Sequence, residues 1–160
     1  MKTEKIIYTG AIVNGVINAI INGLISWFSL KGLESIPFTL DNISNHELTI
    51  FGNIFPILLS LSIILGIITY YTFKKTALKD NLAPAEVINK PLYPTILKFI
   101  FGKTFSAFGL MLIVAVFWQK FLGTIYTTPF IGTLIIAIAA GLVVFYIAVA
   151  VSKELLKPLK

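Results

Sequence analysis

Three asparagines spaced four residues apart are the polar side chains whose types and spacing most directly suggest chemistry. Asn14, Asn18 and Asn22 lie inside an otherwise apolar stretch, and Ser26 continues the spacing. Residues four apart share one face of a helix, so these side chains form a polar stripe. Carboxamides both donate and accept hydrogen bonds. The stripe is therefore suited to bind a neighbouring helix or to line a path for a small polar solute.

A second stripe, made of small residues, runs beside the asparagines. Gly15, Ala19 and Gly23 repeat every four residues, in the small-xxx-small pattern that lets another helix approach closely. An asparagine facing lipid would leave hydrogen-bonding groups unpaired, which is energetically costly. We therefore expect this side of the helix to face protein or water, and we favour helix packing over a solute path.

Other apolar segments carry secondary candidates for the same two roles. Asn53, Ser60 and Ser62 belong to a segment that also contains Pro56 and Gly66. A later segment repeats the small-xxx-small pattern. Its two small residues are Ala137 and Gly141.

Catalytic and metal-binding chemistry has few candidate residues in this sequence. Cysteine is absent and His46 is the single histidine, so the usual thiolate and histidine metal sites are not expected. No zinc-protease, nucleophile-elbow or phosphate-loop motif is present. The apolar segments also lack Asp and Glu, the residues that commonly titrate in ion-coupled carriers. We expect no enzymatic activity, no cofactor and no catalytic or metal-ligating residue.

The elements that position the asparagines are predicted from hydropathy. The 160-residue chain is 57% hydrophobic and 12% charged, about half of the roughly 25% charge usual in soluble domains. Four apolar segments each approach or exceed the roughly 20 residues that a helix needs to cross the hydrocarbon. The sequence predicts an all-α membrane protein, one domain over residues 1–160. Its expected spans are Ile6–Leu30, Ile50–Phe73, Phe99–Gln119 and Pro129–Val151.

The lysines indicate the orientation of the four spans. Eleven of the 13 lysines flank one side of the expected spans, whereas only Lys31 and Lys120 flank the other. Because positive charge is retained in the cytoplasm, we expect both termini there, with the spans in two hairpins. This strong bias argues against insertion in both orientations. The eleven are Lys2, Lys5, Lys74, Lys75, Lys79, Lys90, Lys98, Lys103, Lys153, Lys157 and Lys160.

Two motifs predict where spans begin. Ser44-x-x-Glu47 matches a capping box that would start the second span, which would leave His46 in a solvated first turn. Thr128 followed by Pro129 supplies a cap and a first-turn proline for the fourth span.

The lysine-rich segment between the second and third spans predicts a short helix at the membrane interface. Pro84 suits its first turn, Asp80 or Asn81 would cap it, and Pro91 and Pro94 would stop it. Lysines here signal topology, and they are also candidates to bind anionic lipid headgroups. The headgroup candidates are Lys74, Lys75 and Lys79.

Two functional hypotheses from different classes remain. The first is a non-enzymatic accessory or scaffold subunit that packs through the Asn14/Asn18/Asn22 and Gly15/Ala19/Gly23 face. The second is a small oligomeric channel or uniporter in which the asparagines line a path for an uncharged or weakly charged solute. We favour the first, with the lipid bilayer and either a second copy or another membrane protein as partners. We expect no nucleic-acid partner, because the basic residues flank a membrane boundary. The expected location is a bacterial inner membrane.

Overall fold

A computed structural model describes residues 2–41 and 47–158 of the chain. These residues form five helices and one small sheet, and a kinked turn at Leu92–Ile96 leads into α4. The elements are α1 (Lys2–Leu30), β1 (Ile36–Phe38), α2 (Ile50–Lys79), α3 (Ala85–Ile88), α4 (Leu97–Leu122), β2 (Ile125–Thr127) and α5 (Pro129–Leu155).

In the part of the chain that the structure describes, four helical segments are long and apolar enough to cross a membrane: Lys2–Leu30, Ile50–Lys79, Leu92–Leu122 and Pro129–Leu155. The prediction of a multi-pass helical membrane protein is confirmed at this level. Each helix is longer than the expected span, because flanking residues continue the helical backbone: before Ile6 in α1, after Phe73 in α2, on both sides in α4 and after Val151 in α5. The antiparallel pairing of β1 with β2 was not expected from the sequence.

Side-chain caps fix where α2 and α5 begin. Thr49 caps α2, and its hydroxyl accepts a hydrogen bond from the amide of Gly52 at 2.9 Å. The prediction that a capping box at Ser44 starts this helix is therefore wrong; Ser44 and His46 lie outside the described residues. The prediction at the fourth span is confirmed, since Thr128 caps α5 and accepts from the amide of Ile131.

Two residues with positive φ end α2 and α4. Asn81, at φ 50°, follows α2, and the amide of Leu82 donates to the carbonyl of Ala77 at 3.0 Å. This is the Schellman arrangement, in which a left-handed residue lets the chain turn back on the last helical carbonyls. Gly123 ends α4 at φ 66° and ψ −149°, a backbone conformation that favours glycine, and its amide donates to the carbonyl of Gln119.

The expected interfacial helix is only one turn long. Pro84 immediately precedes α3 and Asn89 ends it. The expectation that Asp80 or Asn81 caps it is wrong, because Asp80 is the C-cap of α2 and Asn81 belongs to the turn that follows.

Helix α5 lies at the centre of the fold. It packs extensively on α1 and on α2, while α4 packs mainly on α2 and only slightly on α5. The main partner of α1 is therefore the last helix rather than the next one in the chain. Open grooves remain where α1 faces α2 and where α4 diverges from α5.

The two ends of the molecule differ in what holds them together. At the end that we call the sheet end, the β1–β2 sheet covers an apolar cluster of Leu30, Ile36, Ile50, Ile54 and Ile136. The opposite end, which we call the lysine-rich end, contains the start of α1, the end of α2, α3 and the end of α5. Its buried cluster includes Ile7, Phe73, Ile88, Ile96 and Leu155.

Candidate functional site

Two asparagines of the stripe donate hydrogen bonds within α1 itself. The side-chain amide of Asn18 donates to the carbonyl of Asn14, and that of Asn22 donates to the carbonyl of Asn18, both at 2.9 Å. Asn22 and Ser26 are buried, with 8% and 4% of their surface exposed. Such hydrogen bonds to the preceding turn let a polar side chain enter an apolar environment without a partner from another helix.

The small-residue stripe packs directly against α5. A Cβ atom added at Gly15 would lie 3.0 Å from the carbonyl oxygen of Gly141, and one added at Gly23 would lie 3.1 Å from the Cβ of Ala137. A Cβ added at Gly141 would in turn lie 3.0 Å from the Cβ of Ala19. The structure thus brings together two small-xxx-small patterns that lie more than 110 residues apart in the sequence.

The secondary candidates of α2 are dispersed along the helix. Asn53 donates to the carbonyl of Thr49 at 2.8 Å, and Ser60 donates to that of Pro56 at 2.7 Å. Both side chains therefore satisfy a carbonyl of their own helix. Ser62 is fully buried, and its hydroxyl has no hydrogen-bond partner.

A groove at the lysine-rich end, which we call the α1–α2 groove, encloses about 380 Å³. Its walls are residues of α1 and α2, and Ala148 and Ser152 of α5 form part of its lining. Asn14 is the one member of the asparagine stripe among its lining residues. The polar residues that line it are Thr9, Asn14, Thr69, Thr72, Thr76 and Ser152.

A second groove, which we call the α4–α5 groove, encloses about 420 Å³ in the middle of the membrane-spanning region. It lies where α4 diverges from α5, and Leu58 of α2 contributes to it. Most of its lining is apolar, so it is suited to apolar side chains or acyl chains. Its α4 wall comprises Ser106, Ala107, Leu110, Met111 and Val114.

The three headgroup candidates do not share one environment. The ammonium group of Lys74 lies 5.5 Å from the ring centroid of Tyr70 and 3.4 Å from its hydroxyl oxygen. Lys75 and Lys79 are exposed. On a helix Lys79 lies three residues after Thr76 and shares its face, whereas Lys74 lies on the opposite face.

A buried lysine holds the α2–α4 connection onto the end of α5. Lys90 is only 3% exposed, and its ammonium donates to the backbone carbonyl of Glu154 in the last turn of α5. The hydroxyl of Tyr70 donates to the carbonyl of Lys90 at 2.8 Å. Burial lowers the pKa of Lys90 despite the attraction of the Glu154 carboxylate, and the charge of Lys157 adds to the lowering. The sequence pattern indicated only a topological role for Lys90. The apolar and proline residues around it were the available sign that this lysine is buried.

A polar cluster connects the two loops at the sheet end. The side-chain oxygen of Gln119 accepts from the hydroxyl of Thr39 at 2.7 Å and from the amide of Leu40 at 3.1 Å. The side-chain nitrogen of Gln119 donates to the carboxylate of Asp41 at 2.5 Å. Gln119 therefore ties α4 to the loop after β1, a role that its position at the end of an apolar segment did not indicate.

Aromatic side chains complete this connection. Trp118 stacks on Phe38 with ring centroids 4.1 Å apart, and its indole nitrogen donates to the carbonyl of Phe38 at 3.0 Å. Phe38 also contacts Phe51 of α2, with ring centroids 4.6 Å apart. The sheet end is thus a packed and hydrogen-bonded cover that joins α2, α4 and both loops.

The polar groups of Asn18, Asn22, Lys90 and Gln119 act mainly as hydrogen-bond partners within the fold. Within residues 2–41 and 47–158, no group of three or more His, Cys, Asp or Glu side chains could hold a metal ion. The α1–α2 groove and the α4–α5 groove both offer space to a ligand or to a partner helix. No protein-family model, no curated protein and no solved structure matches this chain.

Proposed function

We propose that the protein is a non-enzymatic accessory or scaffold subunit of a membrane assembly. One observation carries the proposal: beyond Asn14 the two asparagines are bonded to their own helix, and the last two members of the stripe are buried. The amides of Asn18 and Asn22 donate within α1, and Asn22 and Ser26 are buried. A stripe in this state contributes to packing and offers little to a passing solute.

The partner surface that we propose is the α4–α5 groove rather than the small-residue stripe. The stripe is already in contact with α5 of the same chain. The α4–α5 groove remains open, and α4 is the least buried of the membrane-spanning helices. A transmembrane helix of a second copy or of another subunit fits this groove, because association in lipid depends on close packing of apolar and small side chains.

We further propose that the lysine-rich end faces the cytoplasm and that the membrane is a bacterial inner membrane. The contact between Lys153 and Tyr8, with the ammonium 2.9 Å from the hydroxyl oxygen, brings the start of α1 beside the end of α5. The described lysines of both segments therefore lie at one end of the molecule. This supports the orientation, since positive residues are retained on the cytoplasmic side.

Cysteine cross-linking tests the partner surface, because the chain contains no cysteine. Leu110→Cys places a thiol in the α4–α5 groove, and Phe105→Cys places one on the opposite face of the same helix. We expect cross-linked complexes in native membranes from Leu110→Cys and not from Phe105→Cys. The mass of the complex distinguishes a second copy from another subunit. Equal cross-linking at both positions, or none at either, would overturn this interface.

The second candidate function is a channel or uniporter for an uncharged or weakly charged solute. Its supporting observation is the α1–α2 groove, whose lining includes hydroxyl groups and Asn14. A charged, membrane-impermeant thiol reagent distinguishes the two functions at Asn22→Cys, with Ile20→Cys as the control on the exposed face of α1. The accessory function predicts slow labelling at both positions. Rapid labelling at Asn22→Cys alone would mean that water reaches the buried part of the asparagine stripe, and would favour the channel.

A further inference from the structure

The α1–α2 groove has the dimensions of a site for one lipid acyl chain. Its lining runs from Ile6 to Asn14 on α1 and from Ile68 to Thr76 on α2. Eight residues of helix rise about 12 Å, which is close to the depth of one leaflet of a hydrocarbon core roughly 30 Å thick. Its volume of about 380 Å³ leaves room for a chain between the two helices.

Two of the six polar residues that line the groove, Thr72 and Thr76, do not require a polar occupant. The hydroxyl of Thr72 donates to the carbonyl of Ile68 at 2.9 Å, and that of Thr76 donates to the carbonyl of Thr72 at 3.1 Å. The remaining lining includes Ile6, Val13 and Phe73. An apolar chain can therefore occupy the groove without leaving these two threonine hydroxyls unpaired.

The mouth of the groove is positively charged. Lys79 follows Thr76 on the groove face of α2, Lys75 lies on the flank of that face, and Lys2 precedes Ile6 on α1. All three lysines are exposed. The acidic residues near these lysines are Asp80 on α2 and Glu4 in the first turn of α1, so the three lysines leave an excess of one positive charge. A phosphate at the mouth would be attracted, because lysines near the membrane surface favour anionic lipids.

We propose that the α1–α2 groove binds one anionic phospholipid from the leaflet at the lysine-rich end. One acyl chain lies between α1 and α2 over Ala148 and Ser152, and the phosphate contacts Lys79 and Lys75. This assignment separates the lysines that sequence analysis had grouped, since Lys74 is held against Tyr70 on the other face of α2.

The headgroup half of the proposal is tested by lipid retention. Full-length protein is purified from nanodiscs that contain phosphatidylcholine with a minor fraction of phosphatidylglycerol of the same acyl chains, and bound lipid is counted by native mass spectrometry. We expect wild-type protein to retain one phosphatidylglycerol in preference to phosphatidylcholine. Lys79→Gln should lower this preference about fivefold, as expected for the loss of one lysine near the surface. The matched control Lys74→Gln should leave it unchanged.

The acyl-chain half is tested by filling the groove. Gly10 lines the groove, and a Cβ added there would meet nothing within 4 Å, so Gly10→Phe occupies the groove without a clash at the backbone. Gly102→Phe is the control, because Gly102 also has open space around it but lies on α4. We expect Gly10→Phe to abolish the retained lipid and Gly102→Phe to preserve it. No lipid preference in the wild type, equal losses in Lys79→Gln and Lys74→Gln, or full retention in Gly10→Phe would overturn the proposal.

Discussion

The contact between α1 and α5 gives a quantitative prediction for Gly15. A methyl group at this position would lie 3.0 Å from the carbonyl oxygen of Gly141, which is backbone and cannot rotate away. A contact between Cβ and a neighbouring atom is rarely this short, so Gly15→Ala requires the helices to separate by a few tenths of an ångström. Because α1 packs mainly on α5, few other contacts compensate for this separation.

The expected cost follows from overpacking, with a correction for helix propensity. Extra methylene groups in a well-packed interior destabilise by about 1–3 kcal/mol. Alanine is a better helix former than glycine by about 1 kcal/mol, which offsets part of this cost. Gly10→Ala isolates the correction, because Gly10 lies on the same helix with open space around it. We expect the free energy of unfolding of Gly15→Ala to be about 1–3 kcal/mol lower than that of Gly10→Ala.

Reversible unfolding in mixed detergent micelles, followed by circular dichroism, measures this difference. Gly15→Ile extends the series, and it should destabilise the protein more than Gly15→Ala because its larger side chain forces a larger separation. Equal free energies of unfolding for Gly15→Ala and Gly10→Ala would refute the reasoning. That result would mean that α1 does not approach α5 at Gly15 as closely as 3.0 Å implies.

Two further predictions concern the two ends of the molecule. Since burial lowers the pKa of Lys90 from its ordinary 10.5, the unfolded chain binds the proton more tightly than the folded one. Stability should therefore rise with pH between the lowered pKa and 10.5. In alkaline titrations, the free energy of unfolding of the wild type should rise across this pH range relative to that of Lys90→Met. A difference that does not change with pH would contradict the burial of the charge. At the sheet end, Gln119→Leu should destabilise the protein by about 1–3 kcal/mol, because it removes the hydrogen-bond acceptor that Thr39 and Leu40 share. The control is Lys120→Leu at the exposed neighbouring residue, which should have little effect on the unfolding midpoint.

Sequence reasoning succeeded where the signal is local. The starts of the second and fourth helices, at Ile50 and Pro129, agree with the expected spans, and Thr128 forms the predicted cap. The prediction was wrong at the N-terminal cap of the second helix. Ser44-x-x-Glu47 matched a capping box, yet Thr49 forms the cap, since its hydroxyl accepts the amide of Gly52 at the start of the helix.

The candidate site shows a similar division. The spacing of Asn14, Asn18 and Asn22 indicated a shared face, but not that two of the amides donate to the carbonyls of the preceding turn. The bond of Lys90 to the carbonyl of Glu154 joins residues far apart in the sequence, and no spacing rule predicts it. Such contacts depend on which helix ends meet after packing.

The sequence by itself determined the membrane architecture, because hydropathy and helix length are sums over neighbouring residues. Four apolar runs are sufficient to predict the four helices that are long and apolar enough to cross a membrane. The tertiary structure decided that α1 pairs with α5, that Gly15 meets Gly141, and that the face of α2 with Thr76 lines a groove with α1. Helices in lipid associate through close packing of their surfaces rather than through hydrophobicity. Close packing depends on two surfaces at once, and only the folded chain brings them together.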